Sequence, residues 1–202
     1  MGMYGQMAPV SEATIQRIQA DPPLVLQILQ DAAAVAKARG KPKGPTFFGR
    51  LFGDKARPEP PPTPPLTLEP GEGTLVDLDK AWHGVHYLLT GTAWEGEPPL
   101  NFVVEGGADL DYDGPWNSSP RIFTPAETRE IAAALARVSD DELRGRFNPA
   151  EMMQLEIYPE IWDREPDGTE DPIGYVMSAI EDVRATVNEA VSRGWGLIVT
   201  VD

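Results

Sequence analysis

Nine prolines fall between Gly40 and Gly73, at positions 42, 45, 58, 60, 61, 62, 64, 65 and 70. They exclude regular helix or central strand over that stretch, because proline has no N–H to donate and its ring clashes with the preceding turn. The segment 40–73 therefore reads as a basic, Pro-rich insert or linker within one domain spanning 1–202, a length that suits a single core. Its basic residues crowd between Lys37 and Arg57 and are opposed by Asp54 alone, as in a solvated loop lying against an acidic surface. Phe47, Phe48, Leu51 and Phe52 sit inside it at helical spacing and predict an anchoring turn.

The surface such a loop would meet is present in the sequence. The formal net charge is −15, and residues 77–202 hold 25 acidic against 9 basic side chains. A field of that sign repels nucleic acid and anionic membranes and steers basic proteins inward. No apolar run reaches the roughly 18 to 20 residues of a membrane span. The opening MGMYGQMAPV lacks the basic and apolar regions of a signal peptide, so the expected location is cytoplasmic. With no cysteine in the chain, thiol nucleophiles, disulfides and Cys-ligated metals are excluded, and any chemistry falls to oxygen and imidazole groups.

Helix grammar dominates the rest. Ser11 predicts a cap for a helix to about Ala20, and Asp21-Pro22-Pro23 predicts a second helix carrying Leu24, Leu26, Ile28, Leu29 and Val35 toward Gly40. Leu78, Trp82, Val85 and Leu89 recur at helical steps and predict one buried-face helix over Leu78–Gly91. Leu100–Val104 reads as a short strand. Thr124, Pro125 and Glu127 form a capping box for a helix to about Val138, Asn148-Pro149 repeats that signal, and Pro172 to Arg193 predicts a long helix ended by Gly194. The run Leu197–Val201 predicts a closing strand. Helices with few, separated strands and no βαβ alternation give an α+β class.

No phosphate-cradling glycine loop and no nucleophile elbow occurs, and no cofactor is expected. The two histidines, His83 and His86, lie three residues apart, with Asp79 four residues before the first. On one helix these would form a polar stripe able to converge on a cation or to serve a catalytic imidazole. The competing reading, in which Asp79 is a cap and the histidines bond loop carbonyls beneath the core, outweighs both. The candidate pocket is accordingly Asp79, His83 and His86 with Trp94 and Glu95 of the following loop, and no metal is assigned to it. Trp94, Trp116, Tyr158, Trp162 and Trp195 lie in or beside acidic or Gly-rich stretches, a composition able to line a pocket for a cationic or sugar-like ligand.

The strings LDKAWHGVHYLLTG, PLNFVVEGG, IFTPAE, RFNPAEMM and IYPEIWDR, with the MGMYG start and the C-terminal GLIV, resemble the YfbM-like family of small bacterial cytosolic proteins, a domain of unknown function. The resemblance implies a single α+β domain and brings no established activity. Where the family tends to a compact Gly-Tyr-Gly-Pro-Ala-Arg turn, this chain reads DYDGPWNSSPR, with Trp116 to Ser119 as extra residues. The functional expectation is a non-catalytic acidic protein that binds a protein partner, in the manner of an immunity protein neutralising a basic one. The alternative is an enzyme, or a small-molecule or metal-binding protein, with its site around Asp79, His83 and His86.

Overall fold

The computed structural model describes residues 2–29, 64–112, 118–165 and 171–201. Its elements run β1 (Gly5–Val10), α1 (Glu12–Ala20), a 3-10 turn (Pro22–Val25), α2 (Leu26–Leu29), β2 (Val76–Asp79) and α3 (Trp82–Thr90). They continue with β3 (Ala108–Asp109), β4 (Arg121–Phe123), α4 (Pro125–Leu135), α5 (Asp140–Arg146), α6 (Pro149–Gln154), α7 (Pro172–Arg193) and β5 (Gly196–Val201). The fold is α+β. The strands form one antiparallel sheet in the order β2-β1-β5-β4-β3.

Strand alternation divides the core into two layers. Met7, Leu197, Val199 and Phe123 face α3, α4 and α7 within a large cluster that holds Trp82, Phe102, Trp162 and Ile180. Ala8, Val10, Ile122 and Ile198 face the opposite way, onto Ile15, Ile18, Leu24, Val25, Ile28 and Leu29. β5 lies at the centre of the sheet, paired to β1 on one side and β4 on the other. The expected closing strand is therefore the middle one.

Local grammar holds where it is strongest. Ser11 caps α1, Thr124 and Glu127 make a reciprocal capping box on α4, and Asn148 caps α6. Gly194 ends α7 in the left-handed conformation at φ 69°. A second capping box, Ser139 with Glu142, starts α5.

Four expectations need correction. The apolar stripe beginning at Leu78 spans two elements: β2 pairs with β1 through Val76, Asp77 and Asp79, the chain turns at Asp79 (φ 48°), and the helix starts at Trp82. Leu78 and Trp82 both enter the same core, so a strand end mimics helical spacing. Residues 100–104 form consecutive turns, in which the Asn101 carbonyl accepts from both Val104 N–H and Glu105 N–H; a short apolar run has no periodicity to separate the two states. The N-terminal residues, read as a mere start, supply strand β1. The predicted second helix opens as a 3-10 turn, and its course beyond Leu29 lies outside the described residues, as do Phe47, Phe48, Leu51 and Phe52.

The last part of the Pro-rich segment docks on the smaller core. Leu66 N–H donates to Gln27 Oε1 (2.9 Å), Arg17 donates to the carbonyls of Pro64 and Pro65, and Gly73 N–H donates to Pro9 O (2.8 Å). Glu72 is buried and accepts Ser11 N–H at 2.8 Å. Among the described residues no helix is long and apolar enough to cross a membrane.

Candidate functional site

Every residue of α3 from Trp82 to Leu89 is buried, so this helix has no solvent face and its two imidazoles must find partners inside the protein. They find them in the loop that follows. His83 Nε2–H donates to the carbonyl of Ala93 (2.6 Å), and its Nδ1 accepts the N–H of Tyr158 (3.0 Å). Because a backbone N–H can only donate and a carbonyl only accept, the tautomer is set and the ring is neutral. Burial pulls the His83 pKa down to about 4, with His86 nearby adding to the depression. His86 Nε2–H donates to Glu95 O (3.1 Å), while its buried Nδ1 has no partner among the described residues. Its pKa is also lowered, chiefly by burial.

These bonds pin residues 91–97 to α3. Thr90 Oγ1 accepts Thr92 N–H at 3.2 Å, and Thr92 Oγ1 donates to Glu95 O. The loop carries Trp94, which is 51% exposed. Its ring lies 4.4 Å from that of His83, which in turn stacks on Trp82 at 4.8 Å and 8°. The imidazoles thus act as anchors of an aromatic platform. His83 has no free nitrogen with which to move a proton or hold a metal.

Arg121 closes the far side. Its side chain is buried, yet no carboxylate lies within ion-pair distance of it among the described residues. The guanidinium instead donates to three carbonyls of one turn: Nη1 to Phe102 O (3.0 Å) and Gly106 O (3.3 Å), Nη2 to Val103 O (2.6 Å). Burial lowers its pKa to about 10, against the pull of Asp109 and Glu105, so it stays charged at neutral pH. Between these groups opens a cleft of about 510 Å³ lined by Met3, Trp82, Trp94, Asp109, Ser118 and Arg121, among others. The Trp82 indole Nε1–H is buried without an acceptor among the described residues.

Of the five residues expected to form a pocket, the structure brings together His83, His86, Trp94 and Glu95, the last through its carbonyl. Asp79 is elsewhere. It ends β2, accepts the Tyr175 hydroxyl (2.9 Å), and lines a separate cleft of about 680 Å³ with Lys80, Arg164, Asp171 and Tyr175. Tyr175 in turn accepts Lys80 N–H at 3.1 Å, and burial together with Asp79 raises its pKa. Asp79 is neither a cap of α3, whose N-cap is Ala81, nor a partner of the histidines. Among the described residues no three His, Asp or Glu side chains are grouped to hold a metal ion. Arg121 and Trp82 are the site residues that sequence reasoning missed. An arginine in the short run Arg121-Ile122-Phe123 carries no local sign that it will be buried.

The sequence matches, over residues 1–200, the family described as a domain of unknown function, DUF1877. The chain belongs to that family. Its structure is similar to that of YfbM, a protein of unknown function from Escherichia coli, with a TM-score of 0.61 over 98% of this chain and 99% of that one. At 18% identity the likeness concerns the fold alone. No match was found among curated proteins.

Proposed function

We propose that this DUF1877 protein acts by binding, presenting an acidic surface to a basic protein partner as an immunity protein does. One observation supports the reading above others: Arg17, Arg121 and Arg146 turn toward main-chain carbonyls rather than toward the acids. Arg121 serves three carbonyls, Arg146 caps α3 at Leu88 O (2.9 Å) and Leu89 O (3.0 Å), and Arg17 serves Pro64 and Pro65. Ion pairs between described residues join Arg184 to Asp140 and Arg193 to Glu189, and Arg184 also serves Val138 O. Exposed carboxylates on α5, α6 and the segment after them (Asp141, Glu142, Glu151, Glu156, Glu160, Asp163) therefore remain to set the outer field. An unneutralised field of this sign accelerates encounter with a cationic surface and is screened by salt.

The test isolates the complex formed by the tagged full-length chain in the cells that make it, then measures association of the purified pair against salt. A basic partner is expected, its association rate falling about tenfold or more between roughly 0.05 and 0.5 M NaCl. The double change Glu156→Lys, Glu160→Lys should slow it further. A partner of acidic or neutral charge, or an association rate indifferent to salt, overturns the reading.

A further inference from the structure

The Trp94 cleft combines features that the proposed partner surface does not require. An indole that is half exposed usually hangs from a mobile loop, yet here two buried imidazoles and two threonines hold the loop that carries it. A rigid, exposed aromatic face is the standard platform for stacking a ring ligand. Directly beside it lie donors with no acceptor among the described residues. The guanidinium of Arg121 carries five N–H groups. Two on Nη1 and one on Nη2 go to carbonyls, leaving the Nε–H and the second Nη2–H without an acceptor among the described residues. The Trp82 Nε1–H, buried beneath the ring of Trp94 and its neighbours, likewise has no acceptor among the described residues.

The charges around the cleft narrow the class of ligand. Arg121 opposes a cation. An anion meets Asp109 on the lining and Glu105 nearby, both of which already act on the guanidinium, within a protein of net charge −15. What remains is a neutral molecule that offers acceptors to Arg121 and donors to the exposed Asp109 carboxylate. Hydroxyl groups do both, and Ser118, whose Oγ donates to Val201 O (2.5 Å), keeps lone pairs for a further hydroxyl. We propose that the cleft between Trp82, Trp94 and Arg121 binds a neutral, hydroxyl-bearing ring ligand of the sugar class, stacked on Trp94 and held between Arg121 as donor and Asp109 as acceptor. This assignment is independent of the basic-partner reading and stands or falls without it.

The experiment titrates the full-length chain with glucose, galactose, N-acetylglucosamine, ribose and maltose, and separately with benzoate and inorganic phosphate. Ligand-observed magnetisation transfer and tryptophan emission are followed together. At least one of the five sugars is expected to bind saturably at millimolar concentration or below. Binding should fall tenfold or more in Trp94→Ala, recover in large part in Trp94→Phe, and fall about fivefold in Asp109→Asn. Both positions are exposed, so these variants keep the fold, and unchanged far-ultraviolet dichroism verifies it. Saturable binding of none of the five sugars, sugar binding indifferent to Trp94→Ala, or benzoate or phosphate binding more tightly than every sugar in a Trp94-dependent way each overturns the proposal.

Discussion

On one face of the sheet, Met7, Leu197, Val199 and Phe123 meet three helices, α3, α4 and α7, and the buried polar groups there include neutral imidazoles and a guanidinium held by carbonyls. On the other face, Ala8, Val10, Ile122 and Ile198 meet α1, the 3-10 turn and α2. There the buried charged group is a carboxylate, Glu72, which ties the end of the Pro-rich segment to Ser11 at the start of α1 and to Glu69 N–H at 2.8 Å. The larger layer is closed by helices, of which α4 has its own capping box. The smaller layer is closed by shorter helical pieces, over which a loop is fastened by Glu72 and by bonds to Arg17, Gln27 and Pro9 O. The difference lies in the cover: apolar helix faces close the first layer, and the second adds a loop held by a few long-range hydrogen bonds.

The strongest way to break this comparison is Trp82→Ala. Trp82 is 1% exposed, and its removal from the larger layer should cost about 3 to 5 kcal/mol in urea unfolding. A cost under about 1 kcal/mol would show that α3 is not a core element. Acid then separates the two layers. The folded pKa of His83, about 4, lies below its ordinary 6.5, so the unfolded chain binds the extra proton. This contribution is complete above pH 6.5 and lost as pH falls to about 4, a loss of about 3 kcal/mol. Stability measured across that window should fall steeply in the wild type and much less, relative to its own neutral value, in His83→Gln; equal slopes would refute the assignment.

In the smaller layer burial pushes the Glu72 carboxyl up, but hydrogen bonds from Glu69, Thr14 and Ser11 outweigh it and hold its pKa below 4.5. Its contribution is therefore present above pH 4.5 and lost only in stronger acid. Glu72→Gln should cost about 1 to 2 kcal/mol at neutral pH and leave the window from 6.5 to 4.5 unchanged; a flattening of that window would blur the distinction between layers. The smallest effect is expected at Trp94. Its replacement by alanine should change stability by less than about 0.5 kcal/mol, because the ring is half exposed and the loop is held through backbone carbonyls. A loss above about 1.5 kcal/mol would make Trp94 a core residue rather than a platform.

Helix starts were legible wherever one residue both caps and turns the chain. Thr124, Asn148 and Ser11 each accept an N–H from within three residues, so all the information is local. Strands were legible only in β5, whose β-branched run needs no partner to be recognised. β1 contains a glycine, a glutamine and a proline, β4 has three residues, and neither is a strand until β5 pairs with it. At the site, His83, His86, Trp94 and Glu95 were within reach of sequence because all lie within 13 positions of one another. Arg121 was not, since its carbonyl partners are 15 to 19 residues away.

The sequence by itself determined the α+β class, the caps and the span of the long C-terminal helix, and the acidic excess of residues 77–202. These follow from hydrogen bonds and periodicities that close within a few residues, or from a count of charges. Tertiary structure alone decided that Asp79 leaves the histidines for Tyr175, 96 residues away. It likewise decided that His83 loses its last free nitrogen to the N–H of Tyr158, 75 residues away, and that Arg121 is buried beside Trp82. Each of these outcomes depends on which strand lies beside which. That is settled when two apolar layers pack against one antiparallel sheet, and no window of local sequence contains it.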